Sequence, residues 1–431
     1  MTETITGLGL PYMGSKRKLA KKIVDKILAD NPTCHYVFDL FGGGGAISFE
    51  LIQREQIKKV VYNDINTGVV ELLKDIRDNG VTDKYYQWVS RETFHKHKND
   101  KDWFGGLCQV VWSFGNGQKA YLFGRDIEQY KKMYFEVVVN NIDHTEKMAN
   151  FIENYVLKRY GIAKKCKLEM PQWIDINKRR LEIRRQIVSY EKACKLKQQQ
   201  EQKKLEQLGK LEQLKKQQAI NKTHPLQDIK QIGLLERLQQ LEQLRQLERL
   251  EQIKTLKYLE QTKVLEGLEQ VKQVSNSQVI NKLELLNQSF DEVKINTPIN
   301  ETIIYLDPPY LDVGAEYAEM VDQKKINDYL NKTPYVVYVS SYNCGLRCIA
   351  EYEHRTTLAV GRNDKVIERL YIKQPNDGYN YYLPNVSKKD DNKVNKKANI
   401  RQKQRCACGG VIVKTSSGSK ICDNCFRTFD D

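Results

Sequence analysis

Apolar residues along this chain fall into distinct rhythms, each of which predicts a different kind of element. Short unbroken runs at Val37–Leu40, Lys59–Ile65, Thr302–Leu306 and Val336–Ser341 read as strands, and Glu368–Ile372 reads as a late strand of the same kind. Between them, Leu19–Leu28 and Ala46–Gln53 carry the spacing of short helices. From Leu235 onward the rhythm becomes a triplet, with apolar residues at Leu238, Leu241, Leu244, Leu247, Leu250, Ile253, Leu256 and Leu259. A coiled-coil seam alternates steps of three and four. Three residues at about 100° each fall about 60° short of a full turn, so these leucines wind around a helix instead of forming one stripe. The surrounding stretch, residues 186–295, is dominated by Gln, Leu, Glu, Lys and Arg and predicts a low-complexity helical insertion. It reads as a recognition element, a self-association arm or a tolerated repeat expansion.

Two of the predicted strands end in chemistry. The first runs into Asp39-Leu40-Phe41-Gly42-Gly43-Gly44-Gly45, a glycine turn that lets backbone approach a ligand, and Lys59–Ile65 ends at Asp64, where a carboxylate can accept bonds from ribose hydroxyls. The run Thr302–Leu306 ends in Asp307-Pro308-Pro309-Tyr310. An exocyclic amino nitrogen is a poor nucleophile because its lone pair is delocalised into the ring. A carboxylate and a backbone carbonyl, from Asp307 and Pro308, can accept its two N–H bonds and localise that pair, with both prolines stiffening the loop. Tyr310 can stack on a base taken out of a duplex.

With Tyr12-Met13-Gly14-Ser15-Lys16 upstream, this order of motifs resembles the Dam-type family of S-adenosylmethionine-dependent DNA adenine-N6 methyltransferases, particularly phage-borne members, over most of residues 8–375. The resemblance implies an α/β Rossmann-like class I methyltransferase core. It implies that Tyr12, Gly14 and Lys16 line the methionine end of the cofactor, that Asp39, Phe41, Gly42, Gly43 and Gly45 wrap it, and that Asp64 and Ile65 hold its ribose and adenine. Asp307, Pro308, Pro309 and Tyr310 are the catalytic residues it implies, with Asp307 also facing the cofactor, and the step Ser341-Tyr342 lies beside the flipped base. Many relatives carry Glu-Pro where this chain has Asp39-Leu40; the charge is kept. The segment Trp112–Gly124 resembles the DNA-reading hairpin of these enzymes, with Asn116, Gln118 and Lys119 as the DNA-binding amides and lysine that read base edges. An ordinary aromatic-rich hairpin is the alternative.

The C-terminus adds Cys406-Ala407-Cys408 and Cys422-Asp423-Asn424-Cys425, two close pairs that suit a structural Zn²⁺ held by Cys406, Cys408, Cys422 and Cys425. So short a segment builds no core of its own, so metal would supply its folding free energy. Lysines and arginines crowd the preceding residues 376–405, which read as a basic tether.

Length and charge fit this picture. The 431 residues allow two to four domains, and the formal net charge of +15 favours a polyanionic partner. No apolar run of about 18 residues and no signal peptide is seen, so the expectation is a cytoplasmic protein of a bacterial host cell, acting on double-stranded DNA and with no membrane partner. The expected domains are a catalytic core from residues 1–90 and 296–375, a helical target-recognition domain at 91–185, the insertion at 186–295, the basic linker at 376–405 and a zinc ribbon at 406–431. The expected reaction is site-specific methyl transfer to adenine N6 by base flipping and direct displacement. Cytosine-N4 methylation, RNA adenine methylation and a non-catalytic DNA-binding protein on the same scaffold are the alternatives. A role in shielding phage or mobile-element DNA from restriction follows from the resemblance alone.

Overall fold

The computed structural model describes residues 7–157, 165–190, 263–309, 323–341, 346–355 and 365–375, with isolated helical positions between 196 and 209 and short strands at 412–414, 420–422 and 428–429. The chain divides into two compact units, residues 1–122 with 263–431, and residues 123–262.

The first unit is built on a seven-stranded sheet. Its strands are β1 (Tyr36–Asp39), β2 (Lys59–Asn63), β3 (Leu283–Leu286), β4 (Thr302–Leu306), β5 (Val336–Ser341), β6 (Arg347–Arg355) and β7 (Lys365–Lys373), in the spatial order β3-β2-β1-β4-β5-β7-β6. β3, β2, β1, β4 and β5 pair in parallel, and β7 pairs antiparallel with both β5 and β6. A mostly parallel sheet with covering helices fits a Rossmann-like methyltransferase. All five residues of β4 are buried, which explains why its sequence is an unbroken apolar run. On one face, Phe38, Val61, Ile304 and Val337 form a layer with Ile326 and Leu330 of helix Gln323–Lys332. Strand order reverses at β1 and β4, and there the carboxyl ends of neighbouring strands open a crevice.

Helices α1 (Ala20–Asp30), α2 (Ala46–Leu51), α3 (Thr67–Asn79), α4 (Arg91–His97) and α5 (Trp103–Val111) complete the part of this unit that shapes the crevice. Local signals set several of their ends. Asn66, Ser90 and Asp102 each accept a backbone N–H three residues on, from Val69, Thr93 and Gly105, and so cap α3, α4 and α5. α3 and α5 cross where Gly68 meets Gly106; a Cβ on Gly106 would stand 2.0 Å from the Gly68 carbonyl oxygen. That approach brings the chain after α5 beside the loop after β2.

Two boundaries differ from those that composition suggests. Residues 91–122 belong to the unit that holds the sheet, and β3 together with helix Lys263–Asn276 lies within the 186–295 stretch. The reason is visible in burial. Leu283 is buried while Glu284 is exposed, an alternation that suits an edge strand, whereas the stretch was grouped by its residue types. Most of residues 191–262, including the triplet leucines, lies outside the described residues.

In the second unit, helix Arg125–Val138 packs with Thr145–Phe151, and residues 176–190 are helical. Buried Arg179 donates to the carbonyls of Val138, Val139, Trp173 and Ile174, tying the end of the first helix to the loop before residue 176. Strands β8 (Ile412–Lys414), β9 (Lys420–Cys422) and β10 (Thr428–Phe429) form a separate antiparallel sheet in the order β10-β9-β8. Among the described residues, no helix is long and apolar enough to cross a membrane.

Candidate active site

The crevice at the ends of β1, β2 and β4 is a cleft of about 590 Å³. Of the residues expected to line a cofactor site, Tyr12, Gly14, Lys16, Asp39, Phe41, Gly42, Gly43, Asp64, Ile65 and Asp307 all border it. Gly45 does not; at φ 76° it closes the loop as the residue preceding α2. The loop is pinned from three sides. The Gly43 N–H donates to Asp64 Oδ2 at 2.8 Å, the Tyr62 hydroxyl donates to the Gly43 carbonyl at 2.8 Å, and the Leu10 N–H donates to the Gly44 carbonyl at 2.8 Å. Glycine at position 42 is dictated by packing, since a Cβ there would lie 2.1 Å from the ring of Tyr62.

Two carboxylates define the polar character of the cleft. Asp64 accepts N–H bonds from Gly43 and Asn66, both at 2.8 Å, one on each oxygen. A carboxylate oxygen can accept more than one hydrogen bond, so Asp64 suits a ligand that presents hydroxyls. Asp39, 1% exposed, accepts from the Ser48 hydroxyl at 2.7 Å through Oδ2, and its Oδ1 is buried with no hydrogen-bond partner among the described residues. Burial pushes its carboxyl up to about 7; the Ser48 bond opposes this, while nearby Asp307 and Asp64 add to it. A buried acceptor without a partner, a glycine loop held back by an aromatic ring, and a half-exposed Ile65 that can lie against a flat base together fit a nucleoside cofactor with a cationic end.

Asp307 follows β4 directly. Lys16 donates to it at 2.9 Å on Oδ1 and approaches Oδ2 at 2.8 Å, while Glu368 of β7 lies 3.8 Å from the same ammonium. Lys16 is 7% exposed and Glu368 2%, so this cation is enclosed between two acids and holds Asp307 at the cleft wall. Pro308 and Pro309 continue that wall. Tyr310 and Tyr342 lie outside the described residues.

Trp112–Leu122 does fold back on itself. The N–H of Phe114 donates to the Ala120 carbonyl at 2.8 Å, that of Leu122 donates to the Trp112 carbonyl at 2.9 Å, and Ser113 and Tyr121 form an antiparallel bridge. At its tip Gly115, Asn116 and Gln118 all have left-handed backbone, with φ of 63°, 55° and 65°. Phe114 is exposed, and Gln118 and Lys119 border the cleft while Asn116 does not. The hairpin therefore stands at the rim of the site that contains Asp307.

Several residues that shape the site were not singled out from sequence. Tyr62, Ser48, Asn66, Asn287 and the pairing of Glu368 with Lys16 act through contacts between distant segments. Asn287, for example, donates to the carbonyls of Asp64 and Ile65 at 2.8 and 3.1 Å from the loop after β3. Cys406, Cys408 and Cys425 lie outside the described residues, and of Cys422 only the backbone, in β9, is described. Among the described residues, no group of three or more His, Cys, Asp or Glu is arranged to hold a metal.

Comparison with known proteins bears on this geometry. Residues 12–172 match the family model of the D12 class N6 adenine-specific DNA methyltransferases. A Type II methyltransferase, M.MjaIII of Methanocaldococcus jannaschii, is 26% identical over 125 residues, covering 24% of this chain and 43% of the relative. The chain thus spans less than half of the curated relative that it matches. Over residues 12–172 the chain is similar to the D12 class N6 adenine-specific DNA methyltransferases.

Proposed function

We propose that this protein transfers a methyl group from S-adenosylmethionine to the N6 amine of adenine in double-stranded DNA at a specific sequence. The observation that carries this reading is Asp307-Pro308-Pro309 at the end of β4, on the wall of the same cleft as the glycine loop and Asp64. When bound, the cofactor supplies an electrophilic methyl group on a sulfonium. Asp64 would hold its ribose hydroxyls, Ile65 would lie against its adenine, and Asp39 would take hydrogen bonds at its cationic end. The Asp307 carboxylate and the Pro308 carbonyl each accept one N–H of the target amine and draw its lone pair back onto nitrogen. Lys16 is the positioning residue for Asp307: its ammonium, held by Glu368 on the other side, fixes where the carboxylate oxygens point. Tyr310, next in sequence, would stack on the flipped base.

The hairpin Trp112–Leu122 is the DNA-reading element in this account, with Gln118 and Lys119 toward the cleft and Asn116 at the tip. The net charge of +15 supports a polyanionic substrate. The C-terminal cysteines would hold one Zn²⁺, which would supply the folding free energy of the ribbon around β8, β9 and β10. The low-complexity insertion extends the recognition part or mediates self-association. The test is the mark itself: DNA from a methylation-negative host expressing the chain gains N6-methyladenine at one short sequence, and Asp307→Ala abolishes it. Methylcytosine, a mark confined to RNA, or no mark with intact cofactor and DNA binding would replace this reading with one of its alternatives.

A further inference from the structure

The residue that joins the cofactor loop to the hairpin is Asn66. Its backbone N–H donates to Asp64 Oδ1 at 2.8 Å. Its side chain turns the other way: Oδ1 caps α3 through the Val69 N–H at 3.3 Å, while Nδ2 donates to Gln109 Oε1 at 2.8 Å and to Gln118 Oε1 at 3.0 Å. Buried Gln109 passes the connection on, donating to the Lys98 carbonyl at 2.6 Å, and Lys98 Nζ donates to the Lys119 carbonyl at 2.7 Å. Both Gln118 and Lys119 are thereby tethered, by different routes, to one amide beside Asp64. Gln118 needs such a tether, because its φ of 65° is unfavourable for a residue with a side chain. Its N–H on Ser113 Oγ at 3.1 Å is the other tie that holds it there.

We propose that Asn66 is a positioning residue that couples occupancy of the cofactor cleft to the setting of the hairpin. The inference rests on the reading of the cleft as the cofactor site and of the hairpin as the DNA reader. A ligand hydroxyl that bonds to Asp64 sets the position of the carboxylate that accepts the Gly43 and Asn66 N–H groups. Any resulting shift of Asn66 is carried into its own side-chain amide, because the α3 cap fixes the residue as a lever. The structure holds Gln118 left-handed through Asn66, and in this proposal an occupied cleft disfavours release of the hairpin from that setting. Linkage then requires that DNA bound to the set hairpin strengthens cofactor binding by the same factor.

The experiment uses the full chain with S-adenosylhomocysteine as probe and hydrogen–deuterium exchange as readout. In the unmodified protein the ligand slows exchange in the glycine loop and near Asp64, and also slows residues 113–122 by at least about fivefold, the low end of ordinary site-to-site coupling. Asn66→Ser keeps an oxygen for the cap but has no amide to donate, and Gln118→Met cuts the same link from the hairpin side. In both variants the glycine loop is still protected and the hairpin no longer responds. Sheared unmethylated duplex DNA tightens S-adenosylhomocysteine binding in the unmodified protein and not in the variants. Hairpin protection or DNA tightening of equal size in all three proteins overturns the coupling while leaving the cofactor reading intact. An unmodified protein whose glycine loop ignores the ligand overturns both.

Discussion

Replacing Lys16 with methionine removes one ammonium and leaves two carboxylates facing an apolar side chain. At an effective dielectric of about 20, a unit-charge pair at the 2.8 Å Lys16–Asp307 separation attracts by roughly 6 kcal/mol, and one at the 3.8 Å Lys16–Glu368 separation by roughly 4 kcal/mol. Desolvation of the buried ammonium offsets most of this gross attraction. Removing one partner from a buried ion pair generally costs about 3–5 kcal/mol. Asp307 retains 18% exposure and so some hydration, which places the expected loss near the lower end, about 3 kcal/mol. Scaled for size, that is a fall of roughly 3–5 °C in melting temperature. The assay is thermal unfolding of the full chain, run beside single-turnover methylation. Lys16→Met should melt earlier and lose turnover more than cofactor affinity, because Asp307 is no longer held. Adding Glu368→Gln should recover part of the stability, since one of the two carboxylate charges that faced the ammonium is gone, without recovering turnover. A Lys16→Met protein within about 1 kcal/mol of the parent and with unchanged turnover would refute the view that this ammonium positions Asp307.

Asp39, with its carboxyl at about 7, predicts a proton-linked cofactor affinity. If the ligand's cationic end needs the carboxylate, S-adenosylhomocysteine binding weakens roughly tenfold from pH 8 to pH 6 by calorimetry, and Asp39→Asn flattens the profile. For stability the sign is the opposite one: a raised carboxyl value favours folding below about pH 4 and that contribution is lost as pH rises through about 7, so Asp39→Asn should stabilise the ligand-free protein most at high pH. Gly42→Ala places a methyl 2.1 Å from the Tyr62 ring and should weaken S-adenosylhomocysteine binding at least about tenfold, with partial recovery on adding Tyr62→Leu; unchanged affinity in the single variant would remove Tyr62 as the reason for this glycine. Full-length protein should carry one zinc by elemental analysis and lose it in a Cys422→Ser, Cys425→Ser double variant; full occupancy in that variant would reassign the metal.

Much of the lining of the cleft was legible in the sequence because its signals are local. A strand running into glycines, a second strand ending at Asp64, and Asp-Pro-Pro after an apolar run each stand out within ten residues. What could not be read there depends on distant segments meeting. Lys16 looks like a cofactor contact from its neighbours Tyr12 and Gly14, and it does border the cleft; its ion pair with Asp307 and Glu368 appears only when β4 and β7 are brought to the same rim. Asn66 reads as a helix cap, and its second task exists only because Gly68 and Gly106 let α3 and α5 approach. β3 was hidden by composition, since a short Leu-Glu-Leu-Leu strand at a sheet edge resembles the repeats that precede it. The tip of the hairpin was legible as a turn from its glycines, whereas the left-handed backbone at Gln118 was not, because its side chain is held by Asn66 from outside the hairpin and its N–H by Ser113.

The central claim is that Asp307 and the Pro308 carbonyl present an adenine amine to the cofactor cleft. Mapping N6-methyladenine in DNA from a methylation-negative bacterial host that expresses the chain, beside an Asp307→Ala control, tests it most directly. The account predicts a mark at one short sequence that vanishes in the control, while the control protein still binds S-adenosylhomocysteine and DNA. A mark that survives Asp307→Ala, or its absence from cells making folded, cofactor-binding protein, would contradict it.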